Sequence, residues 1–172
     1  VNTLTDWGDG GAFPNSGTPG PLGEVIQDEI SGIDLKGRLY TGYNTLVADP
    51  TNTKTFGRSD RVTFADGGFF QIFPRTWLAG NPKTALEQPN SLVISEAGLH
   101  KYLPGSQVSD VLGKELMFVE VDSISAQITG VVADFTENSD FIFQDFISFS
   151  TIQTDELKEW YGLHEWSSIN SS

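Results

Sequence analysis

The sequence predicts an α+β fold, and three observations carry that prediction. Runs such as Arg61-Val62-Thr63-Phe64 and Ser125-Ala126-Gln127-Ile128-Thr129-Gly130-Val131-Val132 have the short, alternating pattern of β-strands. Brief helical patterns with recognisable caps, Ser95-Glu96 above all, stand among them without the regular alternation of a parallel α/β protein. Twelve Phe, four Trp and four Tyr in 172 residues supply the bulky apolar groups that a disordered polar chain lacks. A chain of this length makes one domain or two small lobes.

The elements follow in order. Residues 6–21 are dense in Gly, Pro, Asn and Ser and read as a wandering surface loop. Pro21 fits a first helical turn, and Leu22, Val25, Ile26 and Ile30 then recur at spacings of three and four, which predicts a helix over about 20–31. Strands are expected in 33–40, 45–48 and 61–64, with Asp49-Pro50-Thr51-Asn52 as a turn between them. Asp66 to Phe73 packs three aromatics into a short amphipathic turn stopped by Pro74, because the residue before proline disfavours the helical region. Phe69, Phe70, Ile72 and Phe73 are expected to plug a core, since so apolar a turn left exposed would be adhesive.

A second stretch begins with the strand Ser91-Leu92-Val93-Ile94. Ser95 is the N-cap of a helix from Glu96 to about Leu103, ended by Pro104-Gly105. Val108 to Gly113 adds a helical turn. Residues 115–121 and 125–132 read as the two strands of a hairpin, 144–150 alternates like a half-buried strand, and Thr154 to Trp160 opens a short helix with acids at its positive end.

Ten Lys and Arg stand against twenty-three Asp and Glu, a net charge of −13, which excludes a nucleic-acid backbone as partner. Residues 115–172 carry eleven acids and one base, Lys158, so that third would be repelled by anionic lipid headgroups. No apolar run reaches the roughly 18 residues of a membrane span, and the first residues lack the pattern of a signal peptide. The chain opens on Val1 and stops at Ser172, as expected of a piece of a longer protein. With no cysteine there is no disulfide framework, thiolate metal site or thiol nucleophile.

Constellations with catalytic meaning are weak. Asp6 and Asp9 lack the rest of a calcium loop. His100 and His164, the only imidazoles, lie 64 residues apart and in no metal-ligand spacing. No serine sits in the glycine frame of a nucleophile elbow, and no glycine-rich phosphate cradle is present. Asp134 with Glu137, or Asp140 with Asp145, could form a glycosidase-like carboxylate pair, but in so acidic a stretch such pairs arise by chance, and solvated strand ends and loops are the commoner explanation. Trp7, Trp77, Trp160 and Trp166 could stack on a ligand, but tryptophan more often anchors a core. No catalytic, cofactor-binding or metal-ligating residue is assigned, and no enzyme is expected.

More specific are Phe69-Phe70-Gln71-Ile72-Phe73, Leu78 to Leu86, Pro89 to Glu96 and Lys101-Tyr102-Leu103-Pro104-Gly105, followed by Ile128 to Ser139 and Phe143 to Thr151. In order and spacing these resemble the MacB-like periplasmic core domain of FtsX-type ABC transporter permeases, of the Bacteroidetes kind. Thr136 where proline is usual, Asp140 where histidine is common, and Gly98 within the helix depart from that pattern.

The resemblance implies a periplasmic domain of an inner-membrane protein, set between two membrane helices that flank it. It implies two lobes, a larger α/β lobe from about 1–86 and 136–172 and a smaller inserted strand-helix-hairpin lobe from about 87–135. Its role would be to transmit ATP-driven movement or to dock a partner during export. The implied partners are the rest of the permease and its cytoplasmic ATPase, with a periplasmic adaptor or cargo, and dimerisation of the intact transporter, left open. A small-molecule or peptide-binding module, with tryptophans lining a groove and acids selecting cationic ligands, is the alternative.

Overall fold

The computed structural model describes residues 3–6, 12–15, 31–32, 35–51, 53–119, 123–135 and 144–153. The helices expected at 20–31 and 154–160 lie outside the described residues. The chain divides into two compact units, Val1–Asp34 with Asp155–Ser172, and Leu35–Thr154. In the first unit, β1 (Thr3–Asp6) pairs antiparallel with β2 (Ala12–Asn15). This corrects the expectation of an unstructured loop over 6–21: its Gly-rich middle separates two short strands. Pro14, opposite Leu4, is tolerated because a two-stranded ribbon consists of edge strands only.

The second unit is built on a seven-stranded sheet in the order β5-β8-β6-β9-β4-β3-β7. Its strands are β3 (Leu39–Ala48), β4 (Thr55–Ala65), β5 (Trp77–Gly80), β6 (Ser91–Ser95), β7 (Glu115–Val119), β8 (Ile124–Val132) and β9 (Asp145–Ser148). Its described residues also form two helices, α1 (Gly67–Ile72) and α2 (Glu96–Tyr102), and two 3₁₀ turns, η1 (Val108–Asp110) and η2 (Phe149–Gln153). Asp66 caps α1 by accepting from the Gly68 N–H at 3.0 Å, and Ser95 caps α2 by accepting from the Gly98 N–H at 3.1 Å.

The pairings close on themselves. Met117 and Phe118 of β7 face Ala48 and Val47 of β3 on one edge and Ser125 and Ile124 of β8 on the other. Six strands therefore form a circuit, β8-β6-β9-β4-β3-β7 and back to β8, with β5 added along the upper half of β8. The expected β7–β8 hairpin is antiparallel, and so is β3–β4, where one continuous strand over 39–48 replaces the separate strands expected in 33–40 and 45–48; β4–β9 and β6–β8 are parallel.

The α+β class is thus observed, but the two-lobed description is not confirmed. β6 and β8, from within 87–135, share one sheet with β4 and β9, and β6 bonds directly to β9 through Leu92↔Ile147 and Val93↔Phe146. The physical reason is that all five residues of β6 are buried, so the strand needs covered faces and a neighbour on each edge.

Phe69 and Phe70 are buried in a cluster with Ala65, Ala85, Leu86, Val93, Val132 and Phe146, and Phe73 and Trp77 pack against it partly buried. Phe70 meets Phe146 and Trp77 edge to face, with ring centroids 5.0 and 5.1 Å apart. Ile72 departs from expectation, being 41% exposed. On a helix at about 100° per residue, Phe69, Phe70 and Phe73 share a face from which Ile72 points away.

Phe70→Ala is expected to lower the unfolding free energy by about 3 to 5 kcal/mol in urea denaturation. An unchanged midpoint would contradict the burial of this ring.

Candidate functional site

The least expected chemistry lies at the start of β9. A strand that alternates polar and apolar residues should place its acid in water, yet Asp145 is fully buried, as are Phe146, Ile147 and Ser148. β9 is an inner strand, lying between β6 and β4, and both its faces are covered. A carboxylate in such a place needs partners or a proton.

Its partners come from two elements. Ser59 of β4 donates a short hydrogen bond to Asp145 Oδ2, and the Tyr102 hydroxyl, at the end of α2, donates to the same oxygen at 2.6 Å. Oδ1 is buried without a hydrogen-bond partner among the described residues, so it is the oxygen left to carry a proton. Burial pushes the Asp145 carboxyl above its ordinary range, against the opposing pull of the Ser59 and Tyr102 hydrogen bonds and of the Lys101 charge. Burial, reinforced by the neighbouring Asp145, likewise pushes the Tyr102 phenol upward.

Gly98 belongs to this arrangement. It departs from a good helix former, but a Cβ there would stand 3.1 Å from Asp145 Oδ1 and crowd the one oxygen that lacks a partner. Lys101 adds a second tie from α2 to β4, donating to the Arg58 carbonyl at 2.5 Å. Chemically the group is a buried carboxyl fixed by two hydroxyls. Its side-chain hydrogen-bond partners among the described residues are these two hydroxyls, with no imidazole among them.

The other sequence candidates among the described residues are not gathered here. Asp134 is exposed and its Oδ1 accepts from the Ala97 N–H at 2.9 Å, fastening β8 to the start of α2. His100 is exposed on α2. Trp77 packs on Phe70 as an anchor. The side chain of Asp6, and Asp9, Glu137, Asp140, His164, Trp7, Trp160 and Trp166, lie outside the described residues. Among the described residues no three His, Cys, Asp or Glu side chains converge as metal ligands. No described helix is long and apolar enough to cross a membrane.

The raised Asp145 value has a signed consequence for stability. The folded state holds this proton more tightly than the unfolded one, so its contribution is complete below about pH 4 and is lost as pH rises through the folded value. Asp145→Asn keeps the shape and removes the titration. The stability difference between the two proteins is expected to be flat below about pH 4, then to shift against the wild type by up to about 1.4 kcal/mol per pH unit. Urea unfolding from pH 3 to 8 measures it, and a difference independent of pH would contradict the buried, proton-holding carboxyl.

Comparison with known proteins places this fold. No curated protein matches the chain. A crystal structure of a domain from a Porphyromonas gingivalis protein assigned as a permease is 24% identical, with a TM-score of 0.69, over 91% of this chain and 63% of that one. The periplasmic region of MacB from Actinobacillus actinomycetemcomitans is 16% identical, with a TM-score of 0.56, over 76% of this chain and 55% of that one. The extracellular domain of the noncanonic ABC-type transporter YknZ, from Gram-positive bacteria, is 12% identical, with a TM-score of 0.54, over 77% and 65%. The chain spans less than two thirds of each of these three. Their likeness is one of fold, and the family match itself runs over residues 3–169. Nearly its whole length matching, the chain belongs to the MacB-like periplasmic core domain family, the extracytoplasmic part of membrane-bound ABC transporter permeases.

Proposed function

We propose that this domain transmits ATP-driven conformational change across the periplasmic side of a permease during export, as a mechanical element without chemistry of its own. The family is one of transporter permease domains and not an enzyme class. The observation that carries the reading is the closed circuit of six strands packed on the Phe69, Phe70 and Phe146 cluster. A close-packed body of this kind moves between discrete positions as a unit and does not deform gradually, which is what a lever requires. The buried Asp145 supports the same reading, because its two hydroxyl partners fasten α2 to β4 and β9.

The reading requires the membrane part of the permease and a cytoplasmic ATPase as partners. Docking of a periplasmic adaptor or of cargo would draw on the same stiffness.

Val131 tests it. This residue is fully buried in β8 and lies opposite Ile94 of β6 and Ala79 of β5. Val131→Pro removes a ladder donor and distorts the strand that the circuit shares with β5. In vesicles reconstituted with the whole permease and its ATPase, export is expected to fall at normal permease abundance while ATP hydrolysis continues uncoupled from it. Unchanged export, with disrupted packing demonstrated by the loss of native aromatic NMR shifts, would contradict the lever and favour ligand or partner binding.

A further inference from the structure

The chain crosses between its two units twice, entering the second at Leu35 and leaving it after Thr154. The described residues that follow the first crossing and those that precede the second meet at one place inside the second unit. On the incoming side, the Arg38 N–H donates to Asp66 Oδ1 at 3.2 Å, its Nε donates to Asp66 Oδ2 at 3.0 Å, and its carbonyl accepts from the Asp66 N–H at 3.3 Å. On the outgoing side, the Arg38 guanidinium lies over the Phe149 ring, 4.8 Å from its centroid, and Phe149 opens η2, the last described turn before the chain leaves.

The surroundings make this place stiff. Asp66 is also the N-cap of α1, whose Phe69 and Phe70 stand in the aromatic cluster. A Cβ at Gly68 would collide with the Lys36 carbonyl oxygen, so the incoming segment lies backbone to backbone on the first turn of α1. The outgoing turn is held as well. Ser148, just before it, donates to the Leu86 carbonyl at 2.8 Å, and within it Thr151 Oγ1 accepts from the Asn90 N–H at 2.8 Å.

We infer that Arg38 is a clasp between the two crossings. Through Asp66 it grips the incoming segment and α1, and through the face of Phe149 it grips the outgoing turn. Displacement arriving along either crossing then reaches α1 and its aromatic cluster and is not dissipated in one loose linker. The clasp deepens the transmission reading and rests on it for its purpose, though not for its existence.

The test is hydrogen-deuterium exchange read by mass spectrometry on the 172-residue protein. Phe149→Leu keeps the site apolar and removes the ring face, and Arg38→Lys keeps the charge and removes the flat guanidinium. Phe149→Leu is expected to speed exchange at residues 36–38 about threefold, and Arg38→Lys to do the same at 150–153, with β6 unchanged in both. No change, a change confined to the segment carrying the substitution, or an equal rise in β6 would overturn the clasp. This readout is taken on the chain alone, so its failure is distinct from a failure of transport coupling in vesicles.

Discussion

Because β7 is hydrogen-bonded to β3 along one edge and to β8 along the other, the sheet of the second unit has no pair of open ends, and much else follows from that closure. An open sheet exposes rows of unpaired N–H and C=O groups and can splay at its edges. Among the described strands of this unit only β5 stands outside the circuit, along the part of β8 that β7 leaves unpaired. The inner strands are covered on both faces, which is why β6 and β9, Asp145 included, are buried throughout.

That buried acid is a consequence of closure and a complement to it. Closure joins strand to strand, and the Asp145 carboxyl joins a helix to the strands through Tyr102 and Ser59. Removing one partner of such a buried group leaves its desolvation uncompensated, a cost of about 1 to 3 kcal/mol. The interaction therefore specifies where α2 lies more than it adds net stability, and Gly98 and Asp134 serve the same placement.

Local signals in the sequence were enough for the locally determined parts. Ser95 as a cap, the helix after it, the β7–β8 hairpin, and Phe69 and Phe70 as core follow from capping chemistry, turn residues and periodicity. The early part of β4 was missed because Thr55-Phe56-Gly57-Arg58-Ser59-Asp60 is polar and interrupted by glycine, and its strand character comes from pairing with β3. β5 was missed because Trp77-Leu78-Ala79-Gly80 is too short to show a period. The parallel β4–β9 and β6–β8 pairs join segments far apart in sequence, and no local pattern encodes them. The same ignorance concealed the site. Asp145 reads as the solvent face of an alternating strand until its neighbours on both sides are known, and neither Ser59 nor Tyr102 carries a sequence signal that pairs it with an acid 86 or 43 residues away.

The central claim is that closure through β7 makes the strands of the second unit one cooperative body. Phe118 on β7 and Phe146 on β9 are both buried and stand on different strands of the circuit, so each reports on its own strand. With fluorinated phenylalanine incorporated, ¹⁹F NMR in rising urea should show both native resonances disappearing at one midpoint with one slope. Loss of the Phe118 resonance at clearly lower urea, with that of Phe146 still native, would show that β7 detaches on its own and that the circuit is not what holds the body together.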